Sequence, residues 1–190
     1  DSCDVGEDAT ADKVLLIDGT SGSDAEATTC EKTDDGQYVE VESYDAHVGY
    51  NGIAAEGKKV EGDGKTPSGT FNLTDGFGVQ GKPTGFSGDW VKLSEGDIWV
   101  DDPNSPLYNT FVPAEEAEGV KGEELYESPA YDYAQIIDYN TERTPGAGSA
   151  IFLHVNTGSG ATAGCVSLPE SDLLDVFEWA DADTEIQIVQ

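Results

Sequence analysis

The stretch FLHVNTGSGATAGCVSLPE, residues Phe152–Glu170, contains one of the two histidines and one of the three cysteines of the chain. It begins inside SAIFLHV (149–155), an apolar segment that predicts a strand in the centre of a sheet. The segment NTGSGATAG (156–164) has three glycines and small polar residues, which favour a bend. We therefore predict that the chain turns back after the strand and brings Cys165 towards His154.

The residues after Cys165 predict a helix. In PESDLLDVFEWADAD (169–183), acidic residues crowd the first turn, where the helix dipole stabilises negative charge, and proline is tolerated in that turn. Apolar residues then recur at helical spacing, at Leu173, Val176, Phe177 and Ala180. The sequence therefore places one helix shortly after the cysteine.

Most of the remaining chain is typical of short strands joined by turns. Alternation of apolar and polar residues in QYVEVESYDAHV (37–48) predicts a half-buried strand. Further strands are predicted at KVLLID (13–18), TFNLTDGFG (70–78), YDYAQIIDYN (131–140) and TEIQIVQ (184–190), and loops at TSGSDAEATT (20–29) and at 49–69. Residues 88–112 suggest short strands and a surface excursion, and residues 114–129 either a frayed helix or a loop. The fold class is therefore mainly β, a sandwich or closed sheet with helical decoration.

Length and composition indicate one folded domain. A chain of 190 residues can bury a substantial core, and its eight tyrosines, six phenylalanines and three tryptophans argue against disorder. Residues 1–12 are mostly polar and acidic, so we expect a flexible tail there. Residues 13–190 are expected to form the single domain.

The charge is extreme. Thirty-nine acidic residues against nine lysines and arginines give a formal net charge of −30. Nucleic acid is excluded as a partner on this basis, because no basic patch exists to neutralise phosphates, and an anionic membrane surface would repel the chain. High solubility or a saline habitat explains the charge, and recruitment of cations or of a basic partner is the alternative.

The start of the chain and its cysteines bear on the compartment. No segment is apolar and long enough to span a bilayer, and the polar start DSCDVGEDAT suggests that an export signal has been removed. In an exported protein, three cysteines suggest a disulfide between Cys3 and Cys30 with Cys165 free. A lipid-modified Cys3 and three reduced thiols in a cytosolic protein are the alternatives. We expect an extracytoplasmic protein, secreted or associated with the cell wall.

Cys165 and His154 are the candidate catalytic pair. Glycine before a cysteine leaves room for a substrate, and a thiol beside an imidazole is the minimum for nucleophilic acyl transfer. The structural alternatives are a small buried cysteine and a core histidine with satisfied hydrogen bonds. His47 has no cysteine nearby in the sequence and is interpreted as structural.

These motifs resemble a known family. FLHV followed by TAGCVSLP is similar to the signature of the L,D-transpeptidase catalytic domain, the YkuD-type family, with His154, Thr162, Gly164 and Cys165 in the motif positions. GDGKTPSGTF (62–71) resembles the Thr-Pro-x-Gly-x-Phe element of the family, which leads into a core strand. The two motifs occur in the family's order, and the resemblance is clearest over residues 38–190.

The resemblance implies a β-sandwich fold with a helix after the catalytic cysteine, in an exported enzyme that acts on peptidoglycan stem peptides. Cys165 would attack the stem and release D-alanine, with His154 as general base and the Val155 carbonyl orienting its ring. The N–H groups of Gly164 and Cys165 would bind the oxyanion. The same resemblance places four residues beside the substrate: Thr162, Ala163, Asn156 and Ser167. It implies no metal and no cofactor, and we expect a monomer.

The sequence departs from the family pattern at two positions. Ala163 stands where many members have a histidine, and Ser167 where many have an arginine. Arg143, the single arginine of the chain, is a candidate for the missing positive charge. Two other functions therefore stay open: an L,D-carboxypeptidase that uses water as acceptor, and a non-catalytic domain that binds the wall.

Overall fold

The computed structural model describes residues 1–190. It contains twelve strands, one α-helix and one 3₁₀ turn at Ala114–Glu116. The elements are β1 (Lys13–Ser21), β2 (Asp24–Lys32), β3 (Tyr38–His47), β4 (Gly69–Gly78), β5 (Trp90–Lys92), β6 (Ile98–Trp99), β7 (Phe111–Val112), β8 (Glu123–Glu124), β9 (Ala134–Ile137), β10 (Phe152–Val155), β11 (Val166–Leu168), α1 (Glu170–Trp179) and β12 (Glu185–Val189). No helix is long and apolar enough to cross a membrane.

Nine strands form one mixed sheet in the order β12-β1-β2-β3-β11-β10-β9-β4-β5. Strand β4 pairs with β12 through its first residues and with β9 through its later ones, so the sheet closes on itself. The predicted mainly β fold with a helix after Cys165 is thus confirmed. Of the two predicted arrangements, a sandwich or a closed sheet, the nine-stranded sheet has the second.

The main core lies on the inner side of this sheet. Alternate residues of eight strands and the buried stripe of α1 contribute to a single apolar cluster, because side chains of a strand point to opposite faces in turn. Leu173, Val176 and Phe177 are the helix residues of that cluster, as the helical spacing predicted. This core holds β10 and β11, the two strands that flank the candidate site.

The segment 20–29 is strand rather than loop, and this prediction was wrong. Strand β1 continues to Ser21, the chain turns at Gly22 with φ +60°, and β2 runs from Asp24. Ala25 and Ala27 are buried at alternate positions. Buried and exposed residues alternate here as in a strand. The pattern is hard to recognise in the sequence because the buried residues are small alanines and the exposed ones are acidic.

Residues 1–12 lie against the domain, which differs from the loose tail that their composition suggested. Cys3 is joined to Cys30 of β2 in a disulfide. The Gly6 amide donates to Gln187 Oε1 over 2.8 Å, and Ala9 is buried. A disulfide at Cys3 and a lipid on the same sulfur are mutually exclusive, so the lipid alternative conflicts with this arrangement.

A small second sheet, in the order β7-β6-β8, forms from the middle of the chain. Its strands have two residues each, as expected for a surface excursion. Residues 114–129 form neither a frayed helix nor a simple loop, because they contain the 3₁₀ turn and β8. Strand β8 matters for the site because it carries Glu123.

Candidate active site

A cavity of about 340 Å³ lies where the two sequence motifs meet. His154, Thr162, Ala163, Gly164 and Cys165 all line it. Its remaining lining includes one cation and several acidic or phenolic side chains from other segments: Lys59, Glu61, Asp101, Glu123 and Tyr131. The sequence-predicted pair therefore shares one concave site.

Strand pairing explains how His154 and Cys165 come together. Strands β10 and β11 are parallel neighbours, with Leu153 opposite Val166 and His154 opposite Ser167. Because side chains alternate, Phe152 and His154 share one face of β10, and Cys165, which immediately precedes β11, points to the same face. The bend at 156–165 connects these two parallel strands, and it contains no helix. The two side chains are therefore diagonal neighbours on one face.

The thiol of Cys165 is turned towards the backbone that precedes β10. It donates to the Ala150 carbonyl over 3.2 Å and accepts from the Phe152 amide at 3.4 Å, and only 7% of the residue is exposed. No hydrogen bond joins the sulfur to the ring of His154. Burial raises the pKa of Cys165 to about 12, and the negative charge of Glu123 adds to the rise. The resting thiol is therefore protonated at neutral pH.

His154 is held as a neutral ring. Its Nδ1 lies 2.9 Å from the Val155 carbonyl, and because a carbonyl only accepts, the ring hydrogen belongs on Nδ1. Burial lowers the pKa of His154, although hydrogen bonds to the backbone at Val155 and Ala130 act in the opposite direction. The ring of Tyr131 meets it edge to face, with centroids 5.2 Å apart. Nε2 is thus left with a lone pair that can accept a proton.

Both motifs converge on the carbonyl of Cys165. Thr162 Oγ1 donates to it over 2.6 Å, and Thr66 Oγ1, from the Thr-Pro-x-Gly element, donates to it over 3.4 Å. The Gly164 amide donates to Thr162 Oγ1 at 3.1 Å. The Gly164 N–H, predicted to bind the oxyanion, already donates to Thr162, so an oxyanion would have to displace that acceptor. The Cys165 N–H has no acceptor.

A model of the L,D-transpeptidase catalytic domain family, also called YkuD, matches residues 23–188. The chain belongs to the L,D-transpeptidase catalytic domain family. This confirms the resemblance stated from the two motifs, both of which lie inside the matched region.

Two solved structures are similar to the chain. The helical cell shape determining protein Pgp2 from Campylobacter jejuni is 15% identical, with a TM-score of 0.46, over 93% of this chain and 46% of that one. L,D-transpeptidase 1 from Mycobacterium tuberculosis is 14% identical, with a TM-score of 0.39, over 94% of this chain and 63% of that one. The chain thus spans less than two thirds of either protein. No curated protein gives a significant match.

Two of the four expected substrate residues line the cavity of this L,D-transpeptidase domain, and two do not. Thr162 and Ala163 face it. Ser167 is fully buried and donates to the Gly160 carbonyl over 3.3 Å, so the substrate role expected for it conflicts with its position. Asn156 also lies outside the cavity lining, and its Oδ1 is buried without a partner. Because side chains alternate along β11, Ser167 lies on the same face of the sheet as His154. The bend at 156–165 covers it and separates it from the cavity.

The cation of the site is Lys59 rather than Arg143. Arg143 is exposed and donates to the Pro106 carbonyl over 3.0 Å, outside the cavity lining. Lys59 is buried in the cavity wall, with Nζ 2.5 Å from Asp63 Oδ1. Burial alone would raise the pKa of Asp63, but hydrogen bonds, first from Lys59, hold it below its ordinary value. Lys59 lies in a glycine-rich stretch without periodicity, so no sequence pattern singled it out.

Glu123 and Tyr131 are further site residues that the sequence did not indicate. The Tyr131 hydroxyl donates to Glu123 Oε2. Burial raises the pKa of Glu123 to about 7. Neither residue belongs to a motif, and neighbouring acids such as Glu124 have the same local character.

His47 lies near the site but outside its lining. Its Nε2 is 3.4 Å from Asp24 Oδ1, and its Nδ1 is buried without a partner. A methyl group added at Gly160 would lie 2.4 Å from His47 Nδ1, so the ring packs directly under the bend at 156–165. The structural role of His47 stays a prediction.

Proposed function

We propose that this protein is an exported cysteine acyltransferase that acts on peptidoglycan stem peptides as a monomer. The observation that carries the proposal is the cavity shared by the Cys165 thiol and the neutral His154 ring, in a chain that belongs to the L,D-transpeptidase catalytic domain family. A thiol, a neutral imidazole and an unpaired amide N–H are the groups that acyl transfer requires.

In the first half-reaction, Cys165 leaves its hydrogen bond to Ala150 and turns towards the cavity. His154 Nε2 takes the thiol proton as the sulfur attacks the carbonyl that joins the third residue of the stem to the terminal D-alanine. The Cys165 N–H donates to the developing oxyanion. The carbon–nitrogen bond then breaks, His154 returns the proton to the leaving amine, and a thioester remains on Cys165.

In the second half-reaction, the side-chain amine of a neighbouring stem's diamino acid attacks the thioester. His154 takes a proton from this amine and passes it to the sulfur of Cys165, which leaves as the thiol. The product is a 3→3 cross-link. If water takes the place of the amine, the same site is an L,D-carboxypeptidase.

Lys59 supplies the positive charge for the donor's terminal carboxylate. Its ammonium group has three donors, of which Val60 and Asp63 accept two. The remaining N–H suits the carboxylate of D-alanine, in a cavity whose other charged lining groups are acidic. Lys59 thereby provides the positive charge that the chain lacks at Ser167, where many members of the family have an arginine.

A carbapenem tests the proposal, because its strained amide acylates a nucleophilic cysteine of this kind. Intact-mass measurement should show one adduct on the wild-type protein and none on Cys165→Ala. Cys165 is the single free cysteine, so the added mass reports on it alone. Absence of the adduct from the wild-type protein would contradict the proposal.

Tetrapeptide muropeptides separate transfer from hydrolysis. Cross-linked dimers among the products identify a transpeptidase. Tripeptides alone, with D-alanine released, identify a carboxypeptidase.

The buried thiol favours a second candidate function, a non-catalytic domain that binds wall peptides. Cys165 packs in an apolar cluster with Phe152, Trp99 and Tyr131, which is also the environment of a purely structural cysteine. This function predicts no carbapenem adduct, slow reaction with iodoacetamide at neutral pH, and retained binding of stem peptides by Cys165→Ala.

A further inference from the structure

Three groups that can carry protons meet on the side of the cavity facing the small sheet. The Tyr131 hydroxyl donates to Glu123 Oε2, and Tyr131 belongs to the same buried cluster as Cys165. All three residues line the cavity. The ring of Tyr131 is fixed by edge-to-face packing against His154 at 5.2 Å and Phe152 at 5.8 Å. Its hydroxyl is therefore confined to the neighbourhood of Glu123 and the sulfur.

A phenol has one proton to donate, so Glu123 and Cys165 compete for it. A charged carboxylate is the stronger acceptor while the thiol is neutral, and the structure shows Tyr131 donating to Glu123. Once the thiol loses its proton, the thiolate becomes a charged acceptor as well. The hydroxyl can then stabilise the nucleophile only if Glu123 releases it.

We propose that Tyr131 is a further catalytic residue whose hydroxyl donates to the Cys165 thiolate, and that Glu123 is a positioning residue that competes for this hydroxyl until its carboxylate is neutralised. The inference rests on the proposed function, since it concerns the same nucleophile. Two protons move: Glu123 takes one from solvent when its carboxylate is neutralised, and His154 removes the other from the thiol. The Tyr131 hydroxyl keeps its proton and changes only its acceptor.

The electrostatics of the site agree with this competition. Burial raises the pKa of Glu123 to about 7, so its charge changes near neutral pH. Three other acids facing it add to the rise, and the hydrogen bond from Tyr131 opposes it; those acids are Asp101, Glu61 and Glu127. At the sulfur, burial and the charge of Glu123 raise the pKa of Cys165, whereas the Phe152 amide, Lys59 and Tyr131 lower it. Glu123 therefore restrains the nucleophile in two ways, by its charge and by its hold on the hydroxyl.

The proposal predicts opposite effects for two nearly isosteric substitutions. Tyr131→Phe removes the donor, so the apparent pKa of Cys165 should rise and its reaction at pH 7 should slow by about 10- to 100-fold, the usual effect of a hydrogen bond to a charged group. Glu123→Gln removes the charge and weakens the competing acceptor. The apparent pKa of Cys165 should fall, and the reaction should accelerate by about tenfold.

The measurement is the pH profile of iodoacetamide alkylation, followed by intact mass on the folded, oxidised protein. Because Cys3 and Cys30 are joined in a disulfide, alkylation reports on Cys165 alone. Glu124→Gln is the matched control, since Glu124 is the exposed neighbour of Glu123 on β8 and its profile should equal that of the wild type. Thermal unfolding of each variant identifies loss of structure. If Tyr131→Phe fails to fold, the direction of the change in alkylation rate in Glu123→Gln decides the outcome.

Slower alkylation in both variants would overturn the proposal, because Glu123 would then merely support the phenol. Profiles that match the control in both variants would overturn it as well. These outcomes are distinct from failure of the proposed function. That function fails if the wild-type protein forms no carbapenem adduct, whereas this inference fails if the adduct forms and the two variants do not diverge.

Discussion

The two faces of strand β10 differ in what surrounds them, although they alternate along only four residues, FLHV. Leu153 and Val155 point into the main core, where every neighbour in the cluster is apolar. Phe152 and His154 point to the other face, which also holds Tyr131 and the Cys165 thiol. The first face contributes packing alone. The second, called the polar face below, packs Phe152 against aromatic rings and also positions His154 beside the thiol. Substitutions on the two faces should therefore separate stability from chemistry.

The largest expected effect comes from His154→Ala on the polar face. Without its base, carbapenem acylation of Cys165 in the folded protein should slow by roughly 10²- to 10⁴-fold. Loss of the buried ring and of its hydrogen bond to Val155 should also lower the unfolding transition. The rate of mass increase at pH 7.5 measures the acylation. His47→Ala is the control and should acylate at the wild-type rate. Equal loss in both variants would contradict the assignment of the base.

Lys59→Met tests the charge that borders the polar face. The substitution leaves the partly buried Asp63 without its cation, and we expect a loss of about 4 kcal/mol in the free energy of unfolding at pH 7. Urea denaturation measures it. Lys58→Met is the matched control, since Lys58 is exposed and should tolerate the change.

The stability loss in Lys59→Met should also depend on pH. The folded pKa of Asp63 lies below its ordinary value of 3.8, so the ion pair contributes fully above that value. Its contribution is lost as the pH falls through the lower, folded value. The difference between the wild type and Lys59→Met should therefore shrink below pH 3.8, and a difference that grows with acid would contradict the pairing.

Leu153→Ala tests the apolar face. Leu153 is fully buried, and its truncation should cost about 3 kcal/mol of stability through lost burial and a cavity. The carbapenem acylation rate of the folded protein should stay within a few-fold of the wild type. Leu174→Ala, on the half-buried side of α1, should cost less. A loss of acylation as large as that of His154→Ala would mean that the two faces are not independent.

The smallest effect is expected from Ser167→Ala. Its hydroxyl donates to the Gly160 carbonyl and does not line the cavity, so we expect a loss of about 1 kcal/mol in stability and no change in acylation. Thermal unfolding and the carbapenem assay measure the two quantities. A large loss of acylation with unchanged stability would restore the substrate role that the family pattern suggested for this position.

Sequence patterns predicted the polar face of β10 better than its surroundings. His154 and Cys165 lie within one short stretch, and the glycines between them predict the bend that brings the two strands together. The helix was equally predictable, because the apolar residues Leu173, Val176 and Phe177 occur at helical spacing. Local periodicity and turn chemistry suffice where the interacting residues are close in sequence.

The rest of the site depends on contacts between distant segments. Lys59, Glu123 and Tyr131 come from a glycine-rich loop, a two-residue strand and a turn, and each is an ordinary residue within its own segment. Only closure of the sheet and docking of the small sheet bring them to the thiol. For the same reason the burial of Ser167 could not be foreseen, because it depends on where the bend at 156–165 folds over β11.

The double pairing of β4 removes a free edge at that strand, but β3 pairs with β11 only between His47 and Ser167 and therefore keeps a longer free edge. The edge strand β5 has three residues, and those of the small sheet have two each. Long unpaired edges are the templates on which chains add to one another and aggregate. A formal net charge of −30 opposes contact between copies of the chain. We therefore expect concentrated solutions at low salt to form neither fibrils nor a precipitate.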